Sequence, residues 1–421
     1  MALFFGAENE TRTRDPNLGK VVLYQLSYFR LFAVANVGKI FQSPNFFGEI
    51  LCKNRRETDK RWLLLCIFVP SNQPIIMGKI VTFGELMVRL TPPSFDRFIQ
   101  TSRFEAGFGG SEANVAVSLA NYGLESEFVT CLPANRIADA AVADLRRYGV
   151  LTDHIIRKAG RMGLYYMEEA VAMRSSQVVY DRGNTSFDTL APGDIDWEAV
   201  FEGAEWFHWS GISAAVSAAT AEVCAEAIAA ARRRGLVISC DINYRRNLWK
   251  YGKTAREVLP ALMAECDIVF GTELEYLQAL GVSMPQFKAC DTAYEMPMAE
   301  YARAAEEVAR LLPKCHTIVF ALRNVLHAQH HLLGGTLWHR GEMHAARIYD
   351  IDGVVDCVGV GDAYNSGIIY GMIKGEPIAR SLELGAAACA LKNTVPGDYA
   401  QFQIEEIIAA ADGATNGRIA R

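Results

Sequence analysis

From residue 79 onward, short apolar runs alternate with segments of helical periodicity, and this alternation predicts a parallel β-sheet covered by helices. The first run, residues 80–85, reads as a buried strand. It ends in Gly84 and Glu85, where open α/β sheets place ligand-binding residues. Further strands are predicted at residues 125–133, 150–158, 205–210, 236–240 and 266–271, and helices at residues 112–122, 134–149, 217–234, 272–281, 299–312 and 377–394.

Two segments alternate in polarity with period two and do not fit the helical pattern. Residues 86–108 and 162–182 therefore predict a small β-sheet lid outside the main sheet. Three later segments, residues 315–322, 327–335 and 336–346, read as short β pieces separated by glycine.

Residues 1–76 differ in character from the rest. They mix apolar runs without a clean period and carry ten Lys or Arg against six Asp or Glu. With no small-residue cleavage site and no uninterrupted apolar span of about 20 residues, a signal peptide or membrane span is disfavoured. We interpret Met77 as the natural start, residues 1–76 as a disordered or mis-assigned extension, residues 77–413 as the α/β domain, and residues 414–421 as a tail.

Composition narrows the class of protein. A chain of 421 residues with 51% hydrophobic content can bury a large core, as one domain of about 300 residues with additions or as two smaller domains. The net charge of −6 argues against nucleic-acid binding. Ten cysteines without a C-x-x-C pair predict neither a disulfide framework nor a zinc knuckle, and indicate a reduced, cytoplasmic protein with no membrane partner.

The segment Asp356 to Gly371 carries the most informative motif. An extended run, a Gly-x-Gly turn and an acid precede an amphipathic helix, which is how a backbone builds an anion site. Gly359 and Gly361 can expose consecutive N–H groups because no side chain blocks the approach. Asp362 either takes part in proton transfer or caps the helix, and the local sequence leaves both readings open.

Other polar residues follow glycines or strand ends. Gly109 and Gly110 open a helix, with Ser111 as a cap and Asn114 in the first turn. Three polar residues come directly after the buried strand predicted at residues 236–240: Asp241, Asn243 and Arg245. Their position favours a binding or catalytic site over a solvated loop. In the lid, three side chains assigned to one face are each equally compatible with a site or with half-exposed packing: Tyr165, Tyr180 and Arg182.

Two groups raise the question of metal. Glu273 and Glu275 begin a helix, where an acid either complements the helix dipole or belongs to a water shell around Mg²⁺. His327, His330 and His331 have no Asp, Glu or Cys at ligand spacing within their group, so a metal site is disfavoured and a loop near a nucleotide base is favoured.

The two glycine motifs, residues 109–123 and 356–367, resemble the paired signatures of the ribokinase-like (PfkB) carbohydrate kinases, with the correct order and separation. The resemblance covers about four fifths of the chain. It implies a ribokinase-like three-layer α/β sandwich with a mostly parallel central sheet and a β lid, use of ATP and Mg²⁺, and a homodimer formed through the lid. Residues 109–112, 210–213 and 241–249 are further similar to 2-keto-3-deoxygluconate kinases.

The resemblance also implies roles for individual residues. Asp362 would be the catalytic base, with an anion hole at Gly359, Val360 and Gly361. Glu275 would serve Mg²⁺ through water. The sugar-acid site would comprise Gly110, Tyr165, Tyr180, Arg182, Arg245 and Asp398, and the nucleotide site would include Asn243 and Arg323.

The sequence departs from the family pattern in several places. Val360 and Cys357 replace Ala and Thr but keep the backbone donors. Thr272 replaces an Asn, and Leu322 to Asn324 replace a glycine-rich nucleotide segment, which leaves the nucleotide preference open.

The charge of the predicted site indicates which class of sugar accepts the phosphoryl group. Two arginines converging on a small substrate suit a carboxylate, which favours a sugar acid. A kinase of the same family acting on fructose or a nucleoside, and a non-catalytic nucleotide-binding protein, are the alternatives. A nicotinamide-dependent dehydrogenase is disfavoured because no G-x-G-x-x-G follows the first strand of the α/β region.

Overall fold

The computed structural model describes residues 78–414. The predicted extension at residues 1–76 and all but the first residue of the predicted tail lie outside these described residues.

A nine-stranded sheet forms the centre, in the order β14-β13-β12-β11-β10-β9-β1-β4, with β15 pairing with β13. The six strands from β12 to β4 in this order are parallel, and β13, β14 and β15 add an antiparallel edge. The prediction of a mostly parallel central sheet is confirmed. The strands are β1 Lys79–Phe83, β4 Ser126–Val129, β9 Ala204–Ser210, β10 Val237–Asp241, β11 Ile268–Gly271, β12 Thr317–His327, β13 His330–His339, β14 Glu342–Ala345 and β15 Tyr349–Asp352.

Helices cover both faces of this sheet, because successive strand residues point to opposite sides. Val81 packs in one apolar cluster with helices α5 to α8, and Ile80 packs in the other with α1 and α9 to α11. The helices are α1 Ser111–Asn121, α2 Arg136–Arg147, α3 Trp197–Val200, α4 Gly211–Val216, α5 Ala218–Arg233, α6 Ala255–Met263, α7 Glu273–Leu280, α8 Met298–Leu311, α9 Val360–Ile373, α10 Ile378–Lys392 and α11 Ile404–Ala411. The result is the predicted three-layer sandwich.

A separate four-stranded sheet, here called the lid sheet, has the order β3-β2-β7-β8. Its strands are β2 Met87–Thr91, β3 Glu105–Gly109, β7 Gly163–Glu168 and β8 Gln177–Asp181, and they lie in the two segments that alternate in polarity. The predicted small sheet is therefore present, and β8 forms its exposed edge. Within residues 78–414, every helix is too short or too polar to cross a membrane.

Three predicted strands differ from the structure. Of residues 150–158, only Ile156–Arg157 (β6) is a strand, pairing with Cys131–Leu132 (β5), because residues 152–155 form a turn. Residues 97–104 also turn, so that β3 begins only at Glu105.

The third difference concerns the glycine-separated β pieces, which are in fact one long hairpin of β12 and β13. Gly335 lies inside β13 and not in a turn. A Cβ atom there would overlap the Tyr364 hydroxyl of α9, so glycine is required for the helix to pack on the strand.

Candidate active site

A cavity of about 380 Å³ lies between the carboxyl ends of the parallel strands and the lid sheet. This is the edge at which open α/β sheets bind ligands. All thirteen residues to which the resemblance assigns a role line it: Gly110, Tyr165, Tyr180, Arg182, Asn243, Arg245, Glu275, Arg323, Gly359, Val360, Gly361, Asp362 and Asp398. The fold therefore brings residues from both ends of the α/β region to one place.

The two glycine motifs meet at this cavity as helix N-termini. Gly110 is the N-cap of α1, and Gly359 is the N-cap of α9 with a φ of 77°. A Cβ atom at Gly110 would overlap the carbonyl oxygen of Glu85, and one at Gly359 would overlap that of Asp398. Close backbone approach, together with the left-handed φ of Gly359, explains these glycines.

Asp362 lies in the first turn of α9, and both of its carboxylate oxygens bind α1. Ser111 Oγ donates to Oδ1 at 2.6 Å, and Asn114 Nδ2 donates to Oδ2 at 2.7 Å. Burial raises the pKa of Asp362, and these two hydrogen bonds act in the opposite direction. The carboxylate is thus oriented by a second element, which a simple cap of α9 does not need.

Ser111 is not the predicted cap, since Gly110 is the N-cap and the serine hydroxyl binds Asp362. Ser111 Oγ also accepts a 2.9 Å hydrogen bond from Asn243 Nδ2. Asn243 has a φ of 39°, and its backbone N–H is held by Asp241 Oδ1 at 3.1 Å. A hydrogen-bonded chain therefore connects the exit of β10 to Asp362.

Carboxylates concentrate on one side of the cavity. The pKa of Asp241 is raised well above its usual value, first by burial and then by the charges of Glu275 and Asp362. Glu275 Oε2 accepts hydrogen bonds from Thr272 in a capping box, so this residue caps α7 with one of its two carboxylate oxygens, and its predicted role in a water shell around Mg²⁺ stays a prediction. No hydrogen bond to Glu275 Oε1 is found in residues 78–414. A set of carboxylate oxygens that repel one another suits a hard cation such as Mg²⁺, so these side chains fit the predicted metal.

Three arginines line the cavity, Arg182, Arg245 and Arg323, and the two predicted for the sugar-acid site differ in their partners. Arg182 Nε donates to Glu85 Oε2 at 2.9 Å, so its charge is already balanced within the protein. Arg245 forms no ion pair with any residue of the described range, and its charge acts on the nearby Asp241 and Asp362. Of the two arginines predicted for the sugar-acid site, Arg245 is thus the one left available to an anionic ligand.

The part of the cavity predicted to bind the nucleotide includes Leu322 and Arg323 of β12. His327, His330 and His331 lie at the turn between β12 and β13. None of these three histidines lines the cavity, so the expected contact with a nucleotide base stays a prediction.

Residues 77–404 match the family model described as pfkB family carbohydrate kinase. The chain belongs to the pfkB carbohydrate kinase family. It is accordingly a phosphotransferase that acts on an alcohol group of a sugar, as the resemblance of the glycine motifs implied.

Individual relatives within the family act on different sugar acids. A 2-dehydro-3-deoxygalactonokinase of Haloferax volcanii is 29% identical over 81% of this chain and 98% of its own. A 5-dehydro-2-deoxygluconokinase of Geobacillus thermodenitrificans is 28% identical over 74% of this chain and 86% of its own. The crystal structure of a 2-dehydro-3-deoxygluconokinase from Thermotoga maritima has 37% identity and a TM-score of 0.74, covering 80% of this chain and 100% of that one.

One residue of this pfkB kinase that the sequence reasoning missed is Arg89, which is buried in the lid sheet. It binds Asp356 Oδ2 at 2.7 Å and Asp398 Oδ1 at 3.2 Å, and the Tyr165 hydroxyl also donates to Asp398 at 2.6 Å. The sequence did contain a signal for the burial of Arg89, because this arginine occupies a position of β2 at which the alternation predicts an apolar side chain. Because Asp398 is held by these partners, it ties the lid sheet to the turn before α9.

Glu112 was also missed as a site residue. Its Oε1 accepts hydrogen bonds from Ser210 Oγ at 2.6 Å and Ser213 Oγ at 3.2 Å. A Cβ atom at Gly84 would overlap its Oε2, which explains the glycine after β1. Burial raises the pKa of Glu112 to about 7. The sequence signal for Glu112 was an acid that closely follows the glycine pair, in the turn of α1 that binds Asp362.

Proposed function

We propose that this kinase transfers the γ-phosphoryl group of ATP to the terminal hydroxyl of 2-keto-3-deoxygluconate. The observation that carries the proposal is the position of Asp362. Its carboxylate is oriented by Ser111 and Asn114 at the meeting point of two helix N-termini, in a cavity that also holds Arg245, which forms no ion pair within residues 78–414.

Asp362 accepts the proton of the attacking hydroxyl in this proposal. Its raised pKa brings it nearer to that of a useful base at neutral pH, while the hydrogen bonds from α1 keep it ionised and aligned. The N–H groups at Gly359, Val360 and Gly361 stabilise the charge that develops on the phosphoryl oxygens, at the positive end of the α9 dipole.

Positioning of the nucleotide falls to the other wall of the cavity. Asn243 and Arg323 would contact ATP, and Glu275, with Asp241 beside it, would hold Mg²⁺ through water. When bound, Mg²⁺ supplies the positive charge that neutralises the phosphates during transfer. The lid sheet excludes water, which would otherwise compete as the acceptor.

The choice of a sugar acid rests on charge. Arg245 offers a guanidinium to a carboxylate, and Gly110, Tyr165, Tyr180, Arg182 and Asp398 complete the acceptor site. The Arg182–Glu85 pair means that Arg182 contributes directed hydrogen bonds more than net charge. Relatives named for three different keto-deoxy sugar acids support this class.

A panel assay tests the acceptor. The protein is supplied with ATP, Mg²⁺ and one acceptor at a time: 2-keto-3-deoxygluconate, 2-keto-3-deoxygalactonate, 5-keto-2-deoxygluconate, fructose and a nucleoside. We expect the largest kcat/KM with 2-keto-3-deoxygluconate. Strong activity on fructose or the nucleoside and none on the acids would reverse the choice of acceptor, and phosphoryl transfer to none of them would favour a non-catalytic binding protein.

We further propose a cytoplasmic homodimer formed through the lid sheet. The edge strand β8 is exposed along its whole length, including Val178, Val179 and Tyr180, and an open strand edge pairs readily. The eight cysteines of the described residues are all free, which supports a reducing compartment. Sedimentation of wild type and of Val179→Lys tests the dimer: we expect the variant to be monomeric, and equal masses would contradict the lid interface.

A further inference from the structure

The turn of the β12–β13 hairpin brings together side chains that the proposed kinase chemistry does not use. His327 pairs with His330 across β12 and β13, and His330 pairs with Asp352 across β13 and β15. The three residues therefore form one row across three adjacent strands. Neighbours in such a row have Cβ atoms about 5 Å apart, which is close enough for their side chains to share a ligand.

The potential donor atoms are close together. One ring nitrogen of each histidine and a carboxylate oxygen of Asp352 all lie within 4.8 Å of one another, and the ring centroids of His327 and His330 are 5.5 Å apart. Bonds of about 2.0–2.2 Å to a tetrahedral metal place two ligand atoms about 3.5 Å apart. Small side-chain rotations, available to partly exposed residues, are enough to reach that geometry.

Hydrogen bonds orient the two rings. His330 Nε2 lies 2.6 Å from Asp350 Oδ1, and His327 Nδ1 accepts a 3.3 Å hydrogen bond from the backbone N–H of Gln329. The nitrogens that remain are Nδ1 of His330 and Nε2 of His327. A carboxylate on the second nitrogen is the usual partner of a metal-binding histidine, because it fixes the ring and raises its basicity.

The backbone around the row is also held. The Gln329 carbonyl accepts hydrogen bonds from Gly353 N at 2.7 Å and Val354 N at 2.9 Å, which ties the turn to the end of β15. Ala328 N donates at 3.0 Å to Ala172 O, which lies between β7 and β8 of the lid sheet. The ligand scaffold is thus preorganised by three segments.

We propose that His327, His330 and Asp352 form a binding site for a divalent transition-metal ion of the Zn²⁺ type, distinct from the Mg²⁺ of the kinase reaction. Two imidazoles and one carboxylate suit Zn²⁺, which leaves a fourth position for water, whereas Mg²⁺ prefers oxygen ligands. None of the three residues lines the catalytic cavity.

Calorimetric titration of the chelator-treated full chain, made without a polyhistidine tag, with ZnCl₂ tests this site. We expect one equivalent of Zn²⁺ to bind in wild type, and at least about tenfold weaker binding in His330→Ala and Asp352→Asn. Asp350→Asn is expected to weaken binding through the orientation of His330. Co²⁺ absorption in the visible region gives a second readout, since loss of a histidine ligand changes the spectrum.

His344→Ala is the matched control. This histidine lies on β14 of the same sheet and is partly exposed, but it is outside the row. Unchanged binding in His344→Ala with weakened binding in His330→Ala supports the site. Absence of Zn²⁺ binding in wild type, or equal affinity in wild type, His330→Ala and Asp352→Asn with normal circular dichroism, would overturn it.

Discussion

Asn114 donates a 2.7 Å hydrogen bond to Asp362, and this bond joins the first turns of two helices that are 248 residues apart in the sequence. Ser111 makes the second such bond from the same turn of α1. The two glycine motifs are therefore one structural unit, in which α1 aligns the acid that α9 presents.

Replacing Asp362 with Asn is expected to lower kcat by about two to four orders of magnitude, because the amide cannot accept the proton of the attacking hydroxyl. Nucleotide binding should be largely retained, since the anion hole consists of backbone N–H groups. Steady-state kinetics and calorimetry with an ATP analogue measure the two effects. Near-normal turnover in this variant would show that Asp362 is not the base.

Replacing Asn114 with Ala removes a donor that favours the ionised form of Asp362, so the pKa of Asp362 should rise further. The base is then protonated over a wider range, and the acid limb of the kcat profile moves to higher pH. Ser118→Ala is the control, because Ser118 Oγ donates to the Asn114 carbonyl within α1 and not to the Asp362 carboxylate. An identical pH profile for Asn114→Ala and Ser118→Ala would contradict the positioning role.

Glu112 makes the stability of the fold depend on pH. Its pKa rises from 4.5 to about 7 on folding, so the folded state binds the additional proton between these values. The free energy of unfolding should fall as pH rises from about 4.5 to 7, by on the order of 3 kcal/mol from this group. Glu112→Gln should lack this decrease in urea titrations at pH 5 and pH 8. Parallel pH dependence in both proteins would show that Glu112 is ionised at neutral pH.

Gly359 and Gly361, the two glycines of the Gly-x-Gly turn at the start of α9, should respond differently to replacement by alanine. A Cβ atom at Gly359 overlaps the Asp398 carbonyl at a φ of 77°, so Gly359→Ala should lower the melting temperature. Apart from its chain neighbours and the nearby backbone of α9, no atom of residues 78–414 lies within 4 Å of a Cβ at Gly361, so Gly361→Ala should fold normally. It should nevertheless raise the KM for ATP, because the added methyl occupies the space proposed for phosphate. Wild-type kinetics in Gly361→Ala would place the phosphate elsewhere.

Arg245→Gln should raise the KM for a sugar acid by about 10- to 100-fold, the loss expected for one charge-assisted hydrogen bond of roughly 1.5–3 kcal/mol. Arg246→Gln, a change at the next and exposed position, is the control. The measurement is the initial rate against acceptor concentration at saturating ATP. An equal KM in the two variants would remove Arg245 from the acceptor site.

The sequence by itself determined the fold class and the motifs. Alternation of buried runs and helical periods reflects the burial of whole layers, which is a local property of each element. The positions of Gly359 and Asp362 could be read because a turn of this kind needs glycine wherever it occurs.

The partners of the charged residues were decided only by the tertiary structure. Arg89 binds Asp398 across 309 residues, and Arg182 binds Glu85 across 97, and no periodicity encodes such pairs. Asp352 reaches His327 and His330 only because β15 pairs with β13 in one register. Hydrogen-bond and charge networks depend on distances between segments, and these distances exist only once the layers have packed.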